Sequence, residues 1–211
     1  MNIPEENHVI EEVQSVDKKK INWRKELLEW VVSILIAVVL ALTIREFVFT
    51  LVKVQGESME PTLHHSDRLY VNRFFYTPEK GDVIIFEPSS APGHPYVKRI
   101  IAVEGDTVYI DFSNGDVYVN DVLLEEPYIK AKTRTTGRYI INQEKTVGYD
   151  REHPIVIKED HYFVMGDNRN NSKDSRDLGQ IPKDEIMGGA VFRFWPLDSI
   201  GSVHEDAVAS K

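Results

Sequence analysis

Residues 96–104 read YVKRIIAVE, an aromatic and β-branched run that has the texture of a β-strand and carries two adjacent cations, Lys98 and Arg99. Seven more stretches share that texture. They are LYVNRFFY (69–76), DVIIFEP (82–88), DTVYIDF (106–112), DVYVNDVLL (116–124), PIVIKED (154–160), HYFVMG (161–166) and GAVFRFW (189–195). Many alternate with period two, as half-buried strands do. Turn chemistry separates them at Pro78–Gly81–Asp82, Pro92-Gly93, Asn114-Gly115 and Gly188-Gly189, the last of which is also compatible with a bulge. SNGDVYVND (113–121) fits a hairpin. Nothing after residue 50 has the pattern of a long helix, so the expected fold is mostly β. Residues 131–153 are polar and charged and fit a mobile loop or a peripheral hairpin.

Upstream the character is different. Residues 1–17 are polar and acidic, with no sustained period, and fit a flexible tail. Lys18, Lys19, Lys20, Arg24 and Lys25 follow, and then LLEWVVSILIAVVLALTI (27–44), with Glu29 as its only charge. Eighteen helical residues span about 27 Å, close to a bilayer's hydrocarbon core. A buried core helix is rarely so uniformly apolar, and ALT at 41–43 makes a poor site for removing a secretory leader. The expected organisation is a cytoplasmic tail with a basic juxtamembrane cluster (1–25), a single retained anchor in the lipid bilayer of the cell membrane (26–46) and an extracytoplasmic β domain (47–211). The basic flank places the N-terminus in the cytoplasm. Within the outer domain, residues 107–160 or so are expected to form a peripheral region.

Composition narrows the chemistry. The 211 residues carry a formal net charge of −9, which argues against nucleic acid as a partner. The absence of cysteine removes disulfides, thiolate nucleophiles and Cys-based metal sites. His64 and His65 are adjacent and no metal-binding His spacing occurs, so neither a metal nor a cofactor is expected. GDNRNNSKDSRDLG (166–179) is dense in Asp and Asn, but it has Ser172 and Leu178 where a calcium loop starting at Asp167 needs Gly and Glu. Such a stretch suits a rigid polar network instead.

VQGESMEPTL (54–63) contains Ser58 in what could be an ordinary turn. A nucleophile elbow is absent, because Glu60 stands where that motif has its second glycine. The other route to a reactive serine is a neutral lysine. Lowering an amine's pKa by two to three units takes roughly 3–4 kcal/mol of desolvation, which an apolar strand could provide around Lys98. An outward-facing lysine beside Arg99 is the competing reading.

Taken together, four blocks resemble the bacterial type I signal peptidases, membrane-anchored serine proteases that remove signal peptides from exported proteins. They are GESMEPTL (56–63), KGDVIIF (80–86), YVKRIIAVEGD (96–106) and GDNRNNSKDSR (166–176), in the family's order. The likeness extends over residues 20–200 or so, and the one anchor matches the single-span Gram-positive form. The resemblance implies an all-β fold of antiparallel sheets, Ser58 as nucleophile and Lys98 as its base. It also implies that Ser172 hydrogen-bonds and orients the lysine, with supporting ion pairs Asp174–Arg176 and Arg99–Asp167. The Ser58 N–H would hold the oxyanion. Some members carry Ser or Thr two residues before the nucleophile as a second donor, and here that position is Gly56. The substrates implied are signal peptides of secretory precursors, cut after an Ala-x-Ala pattern. Val52, Val54, Gly56, Met59, Leu63, Tyr96 and Val97 are the expected pocket residues.

Overall fold

The computed structural model describes residues 23–74, 76–134 and 151–203, with the side chains of residues 43–49 excepted. The expectations for the acidic tail, for Lys18, Lys19 and Lys20, and for most of 131–153 lie outside the described residues. The chain separates into two units, residues 1–43 and 44–211.

Helix α1 spans Trp23–Val48. It is apolar on every side, and Leu27, Trp30, Ile34, Leu35 and Leu42 are each more than half exposed. Ser33 satisfies its hydroxyl inside the helix by donating to Glu29 O at 2.8 Å. Among the described residues no helix is both long and apolar enough to cross a membrane. Every eighteen-residue stretch between Trp23 and Leu42 includes at least three of Arg24, Lys25, Glu26 and Glu29.

The second unit is mostly antiparallel β-sheet. Its strands are β1 (Phe49–Lys53), β2 (Arg68–Asn72), β3 (Val83–Phe86), β4 (Tyr96–Ala102), β5 (Thr107–Asp111), β6 (Asp116–Val119), β7 (Val122–Leu123), β8 (Ile155–Val156), β9 (His161–Met165), β10 (Ile181–Pro182), β11 (Ile186–Trp195) and β12 (Gly201–Ser202). The larger sheet runs β1-β2-β11-β3-β4-β9-β10, with β12 on β11, and the smaller runs β7-β6-β5-β8. Residues of the smaller sheet come from Thr107 to Val156.

Alternation explains the layers. In β3, fully buried at its centre, Val83 and Ile85 enter one core cluster with Val54, Met59, Leu63, Leu69 and Val71. Ile84 and Phe86 enter another with Ile100, Tyr162 and Val164. A third cluster joins Val108, Ile110, Val117 and Val119 of the smaller sheet to Ile101, Phe163 and Met165.

Two local expectations change. DVYVNDVLL is two strands, because Asn120 and Asp121 both take positive φ (53° and 65°) and turn the chain tightly between β6 and β7. Asn and Asp tolerate that conformation better than other side chains. At Gly188-Gly189 the chain continues through β11 with a register shift between Ile186 and Gly188, which makes it a bulge and not a turn.

Candidate active site

Ser58 sits in the loop between β1 and β2, and that loop is closed at its neck. Val54 N donates to Asp67 O at 2.8 Å and Ser66 N to Val54 O at 2.9 Å. Its interior turn, with Leu63 N donating to Met59 O at 2.9 Å, drives both side chains into the core. Leu63 is completely buried there and does not line the cleft, contrary to expectation. Proximity in sequence put it near Ser58, while the turn aimed it the other way. Arg193 of β11 fastens the far side, donating through Nη1 to Thr62 O at 2.9 Å and Asp67 Oδ2 at 3.3 Å.

Asn168 fixes the peptide planes around the serine. Its Nδ2 donates to Glu57 O at 3.1 Å and its N–H to Ser58 O at 3.0 Å. In a trans peptide the carbonyl and the N–H point in opposite directions, so holding Glu57 O aims the Ser58 N–H away from Asn168. Gly166 makes that approach possible. A Cβ there would stand 2.4 Å from Ser58 O and 2.3 Å from Ser172 Oγ, too close for any methyl group. Gly166→Ala is therefore expected to cost about 1–3 kcal/mol in chemical denaturation and to slow any reaction at Ser58, because the two loops must separate. Unchanged stability and rate would show that the contact is slack.

Lys98 comes from β4, opposite Ile84 of β3 and on the strand face it shares with Tyr96 and Ile100. Its side chain is buried, and Nζ lies 2.6 Å from Ser58 Oγ while donating to Val97 O at 2.7 Å. Burial pushes the amine down from 10.5 to about 8; Asp174 and Asp167 oppose the shift and Arg176 assists it. Each of the two acids is clamped by an arginine. Arg99 grips Asp167 through Nε at 2.9 Å and Nη2 at 2.7 Å. Arg176 grips Asp174 through Nε and Nη2, both at 2.8 Å. Burial alone would raise the Asp174 carboxyl, but the Arg176 guanidinium and the Gly166 N–H hold it below the usual carboxylate range. Asp174 also caps α2 (Ser175–Leu178), a single short turn.

Ser172 differs from its expected role. Its hydroxyl is buried and helps keep Asp174 ionised, yet no contact it makes has hydrogen-bond geometry. The expected hydrogen bond to Lys98 is not formed in this conformation; the amine turns to Val97 O instead.

A cleft of about 600 Å³ opens over the pair. Of the expected pocket residues it brings together Val52, Val54, Gly56, Met59, Tyr96 and Val97. It adds residues to which the sequence had given no place in the cleft, among them His65, His94, Asn171 and Lys173. Arg169 was also overlooked. It is fully buried and forms a forked pair with Glu126, with Nη1 2.8 Å from Oε2, and so ties the catalytic-side loop to the segment after β7. Its partner is 43 residues away, so only folding reveals the pair. Among the described residues no cluster of acids and histidines could hold a metal ion.

Chemically, this is a buried amine with a lowered pKa touching a serine hydroxyl at the floor of an open groove. Such a pair can deprotonate the hydroxyl for attack on a carbonyl without a histidine. The profile of the family described as signal peptidase, peptidase S26, matches residues 27–195. A signal peptidase I of Bacillus amyloliquefaciens is 39% identical over 191 residues, covering 87% of this chain and 96% of its own. The signal peptidase IB of Staphylococcus aureus strain Mu50 is 40% identical over 180 residues, covering 82% and 92%. A crystal structure of a signal peptidase I from Enterococcus faecalis is 28% identical, with a TM-score of 0.39, and covers 55% of this chain and 97% of that one.

Proposed function

The chain belongs to the signal peptidase family, peptidase S26, serine endopeptidases that remove signal peptides, and we propose that it works from a membrane through a Ser58–Lys98 dyad. The observation that carries this reading is the 2.6 Å contact between Ser58 and a buried lysine whose pKa is lowered to about 8. Lys98 Nζ takes the hydroxyl proton as Ser58 Oγ attacks the scissile carbonyl. The oxyanion forms against the Ser58 N–H. Lys98 then returns the proton to the leaving amine, the C–N bond breaks, and the signal peptide remains as an ester on Ser58. Water, deprotonated by the same amine, attacks the ester; Lys98 passes that proton to Ser58 Oγ as the acyl–oxygen bond breaks, and the signal peptide leaves as an acid that ionises. Arg99 pairs with Asp167 and Arg176 with Asp174 beside the lysine, and Val97 O takes the second hydrogen bond of its amine.

Val52, Val54, Tyr96 and Val97 give the cleft a shallow apolar wall, which favours small residues one and three positions before the cut. The substrate lies extended against these strands. The anchor reading rests on the run 27–44, which extends two residues past the described side chains and has Glu29 as its one charge, and on the exposed apolar surface of α1. The basic cluster before it places the N-terminus in the cytoplasm and the β domain outside.

Cleavage in trans of a synthetic Ala-x-Ala precursor by detergent-solubilised protein tests the reading. It excludes both a homologue that binds apolar signals without cutting and a protease confined to cutting itself. Because only neutral Lys98 is a base, kcat/KM is expected to rise roughly 50-fold between pH 6 and pH 8 and to level off above pH 9. A flat profile from pH 6 to 9 would count against Lys98 as the base.

A further inference from the structure

Gly56 lies two residues before the nucleophile and is held by very little. Its φ is +85°, and the space where a side chain would stand is open to 4 Å, so packing does not fix it. The contact that does engage it is polar: Gly56 N–H donates to His65 Nδ1 at 3.1 Å, across the loop. His65 also lines the cleft. An imidazole accepting at Nδ1 is neutral and carries its proton on Nε2.

We propose that His65 is a positioning residue for the nucleophile loop: by accepting from Gly56 N–H it fixes the Gln55–Gly56 peptide and the approach to Ser58. The proposal rests on the Ser58–Lys98 reading and adds to it the group that holds the upstream side. Downstream, Asn168 already grips Glu57 O and Ser58 O. With His65 on Gly56, the peptide whose N–H faces the oxyanion is held from both directions. Without it, a glycine with open space where a side chain would stand becomes a hinge beside the reacting atom. The charged and titratable groups lining the cleft with His65 are Lys53, Glu57, His94, Tyr96, Lys98 and Lys173. The Gly56 N–H goes to His65 and not to any of these groups.

The test compares His65→Phe with His65→Asn in the full detergent-solubilised chain, using the synthetic precursor and separating kcat from KM. Phenylalanine keeps the ring and removes the acceptor. Asparagine can place its side-chain oxygen where Nδ1 stands. His65→Phe is expected to lower kcat about tenfold with KM within about twofold, and His65→Asn to stay within about threefold of wild type. Thermal unfolding should be the same for both, since the residue is exposed. Equal kcat in His65→Phe and wild type overturns the proposal, as does an equal loss in both variants. A loss confined to KM assigns His65 to substrate binding and also overturns it. If wild type itself fails to cleave while Ser58→Ala matches it, the dyad reading has failed instead.

Discussion

Ser58→Ala and Lys98→Met each lower kcat/KM for a synthetic precursor by at least about 1,000-fold, the loss expected when either half of a nucleophile–base pair is removed. The two variants separate in stability. Lys98 is buried with its pKa brought from 10.5 to about 8. Between those values the unfolded chain binds a proton that the folded chain does not, so the lysine's penalty is full below pH 8 and fades toward pH 10.5. A shift of that size corresponds to about 3 kcal/mol. Lys98→Met, which fills the same space without a charge, is therefore expected to be inactive and more resistant to urea at pH 7, with the difference shrinking at pH 10. Ser58→Ala should be inactive and close to wild type in stability. Substantial cleavage by Lys98→Met would refute the dyad. Lower stability at pH 7 would refute the view that burial depresses this amine.

Arg176→Met is expected to have the largest effect on folding. Its guanidinium and Asp174 are both almost wholly buried and joined by two 2.8 Å contacts. Removing one partner strands a carboxylate in the interior, at a cost of about 3–5 kcal/mol. The same change acts on the chemistry. Asp174 raises the Lys98 pKa and Arg176 lowers it, so deleting Arg176 leaves the acid unopposed. The pH–rate profile of whatever folded protein remains should move to higher pH. Arg151→Met, at an exposed pair with Asp121, serves as the contrast and should leave both measurements unchanged. A loss of stability in Arg176→Met with an unmoved profile would separate the structural role from the electrostatic one.

Strand positions were legible because β-branched and aromatic residues recur with period two between turn residues. All eight such stretches contribute strands. Two short strands were not, because two residues carry no period of their own: β10 and β12 exist only by pairing with β9 and β11. FTLVK at β1 was hidden by the apolar run just before it. At the site, Ser58 and Lys98 were visible only as members of a constellation. Leu63 was misplaced because a turn reverses side-chain direction within a few residues. Asn168 and His65 were in view but their roles were not, since each acts through backbone groups that any sequence would supply. The Arg169–Glu126 pair has the same opacity, because it depends on which loops the fold brings together.

Lys98 and Arg99 are neighbours on β4, and successive strand residues face opposite ways. One side chain becomes a base that can lose its proton; the other is a guanidinium that never does. Their roles are separated by 3.3 Å or so of backbone rise. Losing one residue between Pro95 and Lys98 would slide the guanidinium toward the serine and the amine toward Asp167, with the sheet's hydrogen bonds still available. Substitution tolerance and indel tolerance should therefore diverge along this strand. A library that accepts many side chains at Val97 should accept no change in chain length there, because strand register alone decides whether the serine meets a proton acceptor or a permanent cation.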